Sequence, residues 1–365
     1  MLAITSAAAL VAGCGIFSTG PTPSPAPTAD SSAGTSISTA TAKPSKTPSL
    51  VGSVTLIAQI GDPADWTPAG VTWHGIQAGA TQVGATSSLI TYTSNAELPA
   101  DIERASTGTG AVVITVGPDP DTAVRAAALA HPTTQYFEMD VVVPSSAPGN
   151  VHGLVFDEAE AGYLGGFVAA SFSAAGHVGF VGDVKSDARS TNYAAGFQGG
   201  ATEARTDAET TLAYAGNPDA PAAGRTAAKG LISAGNDVVM AMSGLSGIAA
   251  LRQACSGEVK VVALETDAWH TIPDIGSCLI TSILKRYDNA ASTAILAAAS
   301  GSTMPRLLMN DVSNGGIALG SFHTDLPAGF QTGLDAVMAT LQIGPPRATA
   351  APPTAPPSAK PSASK

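Results

Sequence analysis

The body of the chain alternates short apolar segments with longer segments of helical pattern. The apolar segments predict strands at 53–60, 88–92, 111–116, 135–140, 177–182, 209–214, 237–242, 259–264 and 278–284. The helical patterns predict helices near 69–83, 98–106, 120–130, 158–175, 190–205, 220–234, 246–255, 287–300 and 327–341. Strands that alternate with helices form parallel sheets with helices on both faces. We therefore expect an α/β fold of two βα series, one ending near residue 157 and the next running from about 158 to 284.

Two terminal segments differ from this body. Residues 15–49 and 344–365 consist largely of Ser, Thr, Pro, Ala and Gly, with almost no large apolar side chain. Such segments bury too little apolar surface to offset the entropy of ordering, so we expect both to be disordered. Residues 50–343 are enough for roughly two domains of about 150 residues. They contain no apolar run of about 18 residues, which argues against a transmembrane helix there.

Charge and motifs exclude several classes of function. The formal net charge of −11 argues against nucleic acid as a partner, because phosphate binding requires a basic surface. The chain has no phosphate-binding Walker loop, no GxGxxG after the first strand and no HExxH. The stretch 244–247 is one residue short of a GxSxG elbow. The sequence therefore predicts neither an enzyme nor a cofactor or metal site.

The chain has three cysteines, Cys14, Cys255 and Cys278. Their spacing fits neither a zinc motif nor a redox CxxC. Outside the cytoplasm, Cys255 and Cys278 are candidates for a disulfide. The alternative is two buried free thiols, and the distance between the two residues decides between them.

The first fourteen residues contain an apolar run that ends in Val-Ala-Gly-Cys. This pattern resembles a bacterial lipoprotein signal, with cleavage before Cys14 and lipid attachment to its thiol. No Lys or Arg precedes the apolar run, unlike the usual positively charged start of such signals. The alternative is a buried N-terminal helix, but the spacer directly after Cys14 argues against it. We expect residues 1–14 to be a signal peptide and 15–49 a tether on the outer face of the cell membrane.

Binding residues are expected after the strands, because ligands on open α/β sheets bind beyond the carboxyl ends of the strands. The segments that follow the predicted strands are 61–66, 117–119, Asp140, Asp183, 243–247 and 265–270.

Four segments, in order, resemble a known family. They are Phe156–Ala159 with Tyr163–Gly166, Gly176–Gly182, Gly196–Ala201 and Leu279–Arg286. Together they resemble the basic membrane protein family of substrate-binding lipoproteins, whose nucleoside-binding members are the best understood. The resemblance covers about 53–320.

The resemblance implies a type I periplasmic-binding fold, with two doubly wound parallel-sheet lobes, a hinge and a cleft between the lobes. It assigns 50–157 plus a return segment near 286–305 to the first lobe, and 158–285 plus about 306–343 to the second. It implies a monomer that captures a small, nucleoside-like ligand by closure and delivers it to an ABC permease. A ligand sensor of the same fold without transport is the alternative. A cleft hydrolase is a third, but no nucleophile with its base is evident.

In the first lobe the resemblance places Asp65 at a binding aspartate of the family. Pro68 and Ala69 stand where the family has a stacking Phe and an Asn. Trp66 is close enough in sequence to supply the missing ring; alternatively it packs on the hinge. Asp65 can also serve as a helix N-cap.

In the second lobe the resemblance implies roles for Gly244, Asp267 and Lys285. Gly244 belongs to a glycine turn that presents backbone N–H groups. Asp267 matches the carboxylate that accepts hydrogen bonds from ribose hydroxyls. Lys285 lies opposite that sugar, and its apolar surroundings require a partner such as Asp267 or a ligand oxygen. Asp140 is a weaker candidate, and Trp269 is a further one.

Overall fold

The computed structural model describes residues 50–59 and 66–343. The predicted signal peptide, Cys14, the tether, Asp65 and the C-terminal tail lie outside these residues. The strands are β1 Ser53–Gln59, β2 Thr86–Tyr92, β3 Ala111–Val116, β4 Gln135–Met139, β5 Val151–Phe156, β6 His177–Gly182, β7 Glu209–Tyr214, β8 Val238–Ala241, β9 Lys260–Glu265, β10 Leu279–Lys285, β11 Leu307–Asn310 and β12 Ile317–Leu319. The helices are α1 Pro68–Val83, α2 Leu98–Ser106, α3 Asp121–Ala130, α4 Glu158–Phe172, α5 Ala188–Ala204, α6 Pro221–Ser233, α7 Leu245–Ser256, α8 Ala268–Thr271, α9 Tyr287–Ser300 and α10 Phe330–Ile343.

The strands form two sheets of six. The first has the order β11-β5-β4-β3-β1-β2 and the second the order β12-β10-β9-β8-β6-β7. Within the described residues, every strand pair is parallel except β10 with β12. Strands such as β8 are buried along their whole length, as expected where helices cover both faces. The predicted α/β class with doubly wound sheets is confirmed. We call each sheet with its helices a lobe.

Three strands were not predicted. Strand β5 is fully buried, but His152 and Gly153 interrupt its apolar pattern. Strands β11 and β12 are short and lie at sheet edges, so pairing rather than propensity defines them. Strand β11 pairs with β5 in the first sheet. The first sheet thus takes residues beyond the expected return segment 286–305, from the range 306–343 expected in the second lobe.

The chain passes between the sheets at three places in the described range. These are the connections from β5 to α4, from β10 to α9 and from β11 to β12. Helix α9 packs on α1 of the first lobe, at a site so close that a Cβ on Gly75 would lie 2.1 Å from the carbonyl oxygen of Asp288. The three connections form the natural hinge between the lobes.

Helices α4 and α5 pack along much of their length in the second lobe. A Cβ on Gly166 would lie 2.0 Å from the carbonyl oxygen of Phe197, and a Cβ on Gly200 would lie 1.8 Å from that of Tyr163. Both distances are shorter than any non-bonded contact. Gly166 and Gly200, both in segments that carried the family resemblance, therefore allow the two backbones to approach.

Cys255 at the end of α7 and Cys278 just before β10 form a disulfide, with Cα atoms 5.5 Å apart. This separation lies in the usual range for disulfides, so of the two alternatives the bonded one is found. Among the described residues, no helix combines the length and apolar character needed to cross a bilayer.

Candidate functional site

The carboxyl ends of the strands bring polar side chains together in the cleft between the lobes. Asp140 follows β4 in the first lobe, while Glu265 ends β9 and Lys285 ends β10 in the second. Ser243 and Asp183 follow β8 and β6. This is the edge of the sheets at which the α/β architecture predicts a ligand site.

Lys285 is the centre of this cluster. Its side chain is 1% exposed, and its Nζ lies 2.9 Å from each carboxylate oxygen of Asp140. Nζ also lies 3.4 Å from Oε1 of Glu265 and 4.0 Å from Oε1 of Glu158. Asp267, which the sequence suggested as a partner alongside a ligand oxygen, is not among these carboxylates. It instead accepts a hydrogen bond from the N–H of Trp269 at the start of α8.

Glu265 is the most enclosed carboxylate of the cluster, with its side chain 6% exposed. Its Oε1 accepts a hydrogen bond of 2.7 Å from Nη2 of Arg189, and its Oε2 accepts one from the hydroxyl of Ser243. Burial opposes ionisation of this group, but Lys285, Arg189 and the Ser243 hydroxyl together lower the pKa of Glu265. Glu265 is therefore charged in the folded protein.

Arg189, near the start of α5, links the two lobes. Its Nη2 lies 3.5 Å from Oδ2 of Asp140, across the cleft from Glu265. Burial opposes its charge, but Glu265 and Asp140 raise the pKa of Arg189. The first-lobe carboxylate Asp140 thus contacts two cations, Lys285 and Arg189.

Two further carboxyls at the cleft are harder to ionise. Burial raises the pKa of Glu158, a shift that Lys285 reduces and Asp140 increases. Burial also raises the pKa of Asp183 to about 6, against a hydrogen bond of 3.2 Å from the hydroxyl of Ser246. The cluster therefore holds more carboxyl groups than cations.

Asp140 and Glu265 have φ angles of +61° and +75°, in the left-handed region that disfavours side chains other than glycine. Each such residue costs on the order of 1 to 3 kcal/mol unless its surroundings compensate. Here the compensation comes from the ion pairs to Lys285 and Arg189. Backbone strain of this kind is concentrated at binding and active sites.

A cavity of about 340 Å³ lies beside the charged cluster. Thr67 and Pro68 of the first lobe form one wall, while 241–244, 263–266, Ala268, Thr271 and Ile272 of the second lobe supply most of the rest. Thr67 caps α1 by accepting a hydrogen bond from the N–H of Gly70, and Asp65, the cap suggested from sequence, lies outside the described residues. Pro68 is the first residue of α1, where its missing N–H is not needed.

Two tryptophan–histidine stacks lie near this cavity. Trp66 of the first lobe stacks on His270 of α8, with ring centroids 4.3 Å apart and an interplanar angle of 10°. Trp269 stacks on His323 with centroids 4.0 Å apart. Both tryptophans are nearly half exposed. Of the two, Trp66 faces a residue of the opposite lobe.

The structure brings together only part of the set predicted from sequence. Asp140 and Lys285 form the central ion pair, and Gly244 lines the cavity with φ +99°. Asp267 caps α8, and one of its oxygens lies 3.9 Å from Nε2 of His270. Sequence reasoning missed Arg189 altogether; its one signal is an arginine in the first turn of a helix that follows a strand end.

The fold is that of two-lobed solute-binding proteins. A solute-binding protein of an ABC transporter system from Conexibacter woesei DSM 14684 superposes with a TM-score of 0.65 at 21% identity, covering 80% of this chain and 97% of that one. One from Aeropyrum pernix K1 gives 0.57 at 22% identity, covering 80% and 86%. A transcriptional activator of the comK gene from Bacillus halodurans gives 0.68 at 18% identity, covering 80% and 99%. These likenesses define the class of fold.

The sequence then defines the family. Residues 69–326 match the model of the PnrA-like ABC transporter substrate-binding proteins, and the chain belongs to that family. The predicted family is therefore confirmed. No curated protein matches the sequence significantly.

Proposed function

We propose that this protein is an extracytoplasmic, lipid-anchored solute-binding protein that captures a nucleoside-like ligand for an ABC permease. The observation that carries the proposal is the cleft itself, where an apolar cavity adjoins a buried Lys285–Glu265 pair. A nucleoside has the same division, with a flat and largely apolar base attached to a sugar rich in hydroxyls.

The base occupies the apolar cavity, against Pro68 and below the ring of Trp66. Binding sites for small molecules are typically apolar hollows with a few well-placed polar groups. Trp66 replaces the aromatic side chain that the family has at the position of Pro68. Asp65, which lies outside the described residues, is a further ligand contact that the family resemblance supports.

The sugar hydroxyls donate to carboxylate oxygens and accept from Lys285. Glu265 has the contacts with Lys285 that we had expected for Asp267. Asp267, beside His270 at 3.9 Å, contacts the ligand from the mouth of the cleft. Hydrogen bonds to charged groups are roughly twice as strong as neutral ones, which suits a ligand held by few contacts.

The disulfide between Cys255 and Cys278 supports an extracytoplasmic location. Disulfides persist in oxidising compartments and are rare in the cytosol. Lipid attachment at Cys14 then keeps the protein next to its permease, with 15–49 as the tether. Mass spectrometry of the membrane fraction tests this part, since the lipidated form begins at Cys14.

Thermal-shift measurements on the purified chain test the ligand class. The panel contains adenosine, guanosine, inosine, uridine and cytidine, together with free nucleobases and ribose. A probe at about 100 times its Kd adds about 2.7 kcal/mol of stability. We expect a nucleoside to give the largest shift and Lys285→Met to abolish it, while Lys229→Met at an exposed position keeps it. If ribose or a free base alone shifts the protein, the nucleoside proposal fails.

A further inference from the structure

The guanidinium of Arg189 contains a buried donor that no described residue uses. Its Nη2 is paired with Glu265 at 2.7 Å and with Asp140 at 3.5 Å. Its Nε, in contrast, is buried and has no hydrogen-bond partner among residues 50–59 and 66–343. Buried polar groups in folded proteins are nearly always paired, and an unpaired donor costs free energy. An exception at the ligand cleft indicates a partner that arrives with the ligand.

The position of Arg189 fits such a role. It is the second residue of α5 and reaches from the second lobe to Asp140 of the first. The side chain as a whole is 41% exposed while Nε itself is buried, so a ligand in the cleft meets the guanidinium first and reaches Nε when the guanidinium shifts or the lobes open on binding. Both ion pairs are made by Nη2, so they tether the guanidinium at one nitrogen and leave Nε without a charged partner of its own.

The surrounding charges limit what the acceptor can be. Arg189 and Lys285 are the cations of the described cluster, and Asp140, Glu158 and Glu265 lie within 4.0 Å of Lys285. Asp183 adds a further carboxyl group close enough to Arg189 to sense its charge. A phosphate or carboxylate on the ligand would therefore meet an excess of like charge. An uncharged oxygen, as in a ring carbonyl or a hydroxyl, meets no such repulsion.

We infer that Arg189 is a specificity-determining residue, whose Nε–H donates to an uncharged oxygen of the bound ligand. The ligand class used for the test rests on the proposed function, whereas the residue and the recognised group go beyond it. A site built to hydrogen-bond one group loses much of its affinity when that bond is removed, because the other partner is left buried and unpaired. Arg189 thereby favours ligands that carry this oxygen, and the carboxyl groups around it disfavour their phosphorylated forms.

Arg189→Lys tests the inference on the full chain. Lysine keeps the positive charge between Asp140 and Glu265 but has no donor at the Nε position. The matched control is Arg252→Lys, because Arg252 forms an ion pair with Asp274 and neither residue lines the cavity or belongs to the charged cluster. Binding of the nucleosides, nucleobases and ribose named above is measured by calorimetry. We expect Arg189→Lys to weaken the tightest probe by about tenfold or more, and Arg252→Lys to change it by less than about twofold.

A second measurement needs no variant. The ¹⁵N–¹H resonance of the Arg189 Nε is followed by NMR while the tightest probe is added to the wild-type chain. We expect it to move downfield as it gains an acceptor. Equal affinities in Arg189→Lys and wild type, or an Nε resonance that does not respond, would overturn the inference even where nucleosides bind.

The two proposals fail separately. If no nucleoside binds but ribose or a nucleobase does, the proposed ligand class is wrong, and both measurements are made with that probe. If the 5′-monophosphate of the tightest nucleoside binds as well as the nucleoside itself, the requirement for an uncharged oxygen is refuted while nucleoside binding stands.

Discussion

Glu138 gives a prediction about stability that can be worked out from its position. It lies in β4 opposite Thr115 of β3 and is 0% exposed, and within the described part of the chain neither of its oxygens makes a hydrogen bond of normal geometry. Asp121 and Arg125 of α3 are the charged groups that influence it. Burial first, and Asp121 second, raise the pKa of Glu138 from 4.5 to about 8. The folded protein therefore keeps a proton at neutral pH that the unfolded chain releases.

The sign and size of the effect follow from linkage. Because the folded pKa is the higher one, the contribution of Glu138 to stability is greatest below pH 4.5 and is lost as the pH rises to about 8. Each pKa unit corresponds to about 1.4 kcal/mol. Over the whole window the protein loses roughly 5 kcal/mol, of which roughly 3 kcal/mol is gone by about pH 7. Glutamine has nearly the same shape and does not ionise.

We therefore expect Glu138→Gln to match the wild type near pH 4.5 and to become progressively more stable than it up to pH 8. Urea unfolding, followed by circular dichroism at several pH values, gives the free energy of unfolding for both proteins. The control is Glu258→Gln at an exposed turn, which should show no such trend. A stability difference that is flat between these pH values, or that falls with rising pH, refutes the reasoning.

Three further predictions concern other parts of the fold. Replacing Cys255 and Cys278 by Ser should lower the unfolding free energy by about 3 kcal/mol through loss of the cross-link, measured by urea unfolding; equal stability would contradict it. Gly200→Ala should cost about 3 kcal/mol, because α4 and α5 must separate to admit the Cβ; an unchanged melting temperature would show that the helices adapt. Lys285→Met should cost about 3 to 5 kcal/mol by leaving carboxylates unpaired, and adding Asp140→Asn should restore part of it; additive losses would argue against the pair.

Most of the fold could be predicted from the sequence because the apolar composition of a buried strand is a local signal. Apolar segments such as 111–116 and 177–182 are buried on both faces, so their composition alone identifies them as strands. Strand β5 is equally buried, but His152 within it hydrogen-bonds to the carbonyl oxygen of Pro305 and to Gln135. Pro305 lies 153 residues from His152 along the chain. Local composition does not show that the ring nitrogens of such a buried histidine have hydrogen-bond partners.

The site is less accessible to sequence reasoning, because its geometry depends on contacts between distant segments. Asp140 and Lys285 were both predicted as binding residues, but their pairing joins positions 145 residues apart. The segment after β9 holds two neighbouring carboxylates, Glu265 and Asp267, and only Asp267 was suggested as a partner of Lys285. The left-handed backbone of Glu265 decides between them, turning its side chain towards Lys285 while Asp267 goes on to cap α8. The segment contains no glycine, so its composition does not predict the left-handed backbone of Glu265.

The cross-lobe contacts of Asp140 bear on how the cleft selects its ligand. Buried ion pairs often add little net stability, since the cost of removing charges from water offsets their attraction. Their geometry is nevertheless specific, because a displaced partner leaves a buried charge unpaired. Asp140 contacts Lys285 and Arg189, and so fixes where the first lobe meets the second. If the protein already supplies these opposite charges, a ligand gains little by being charged itself. It gains by filling the apolar cavity and by satisfying the Nε of Arg189, both of which favour a neutral, oxygen-bearing molecule.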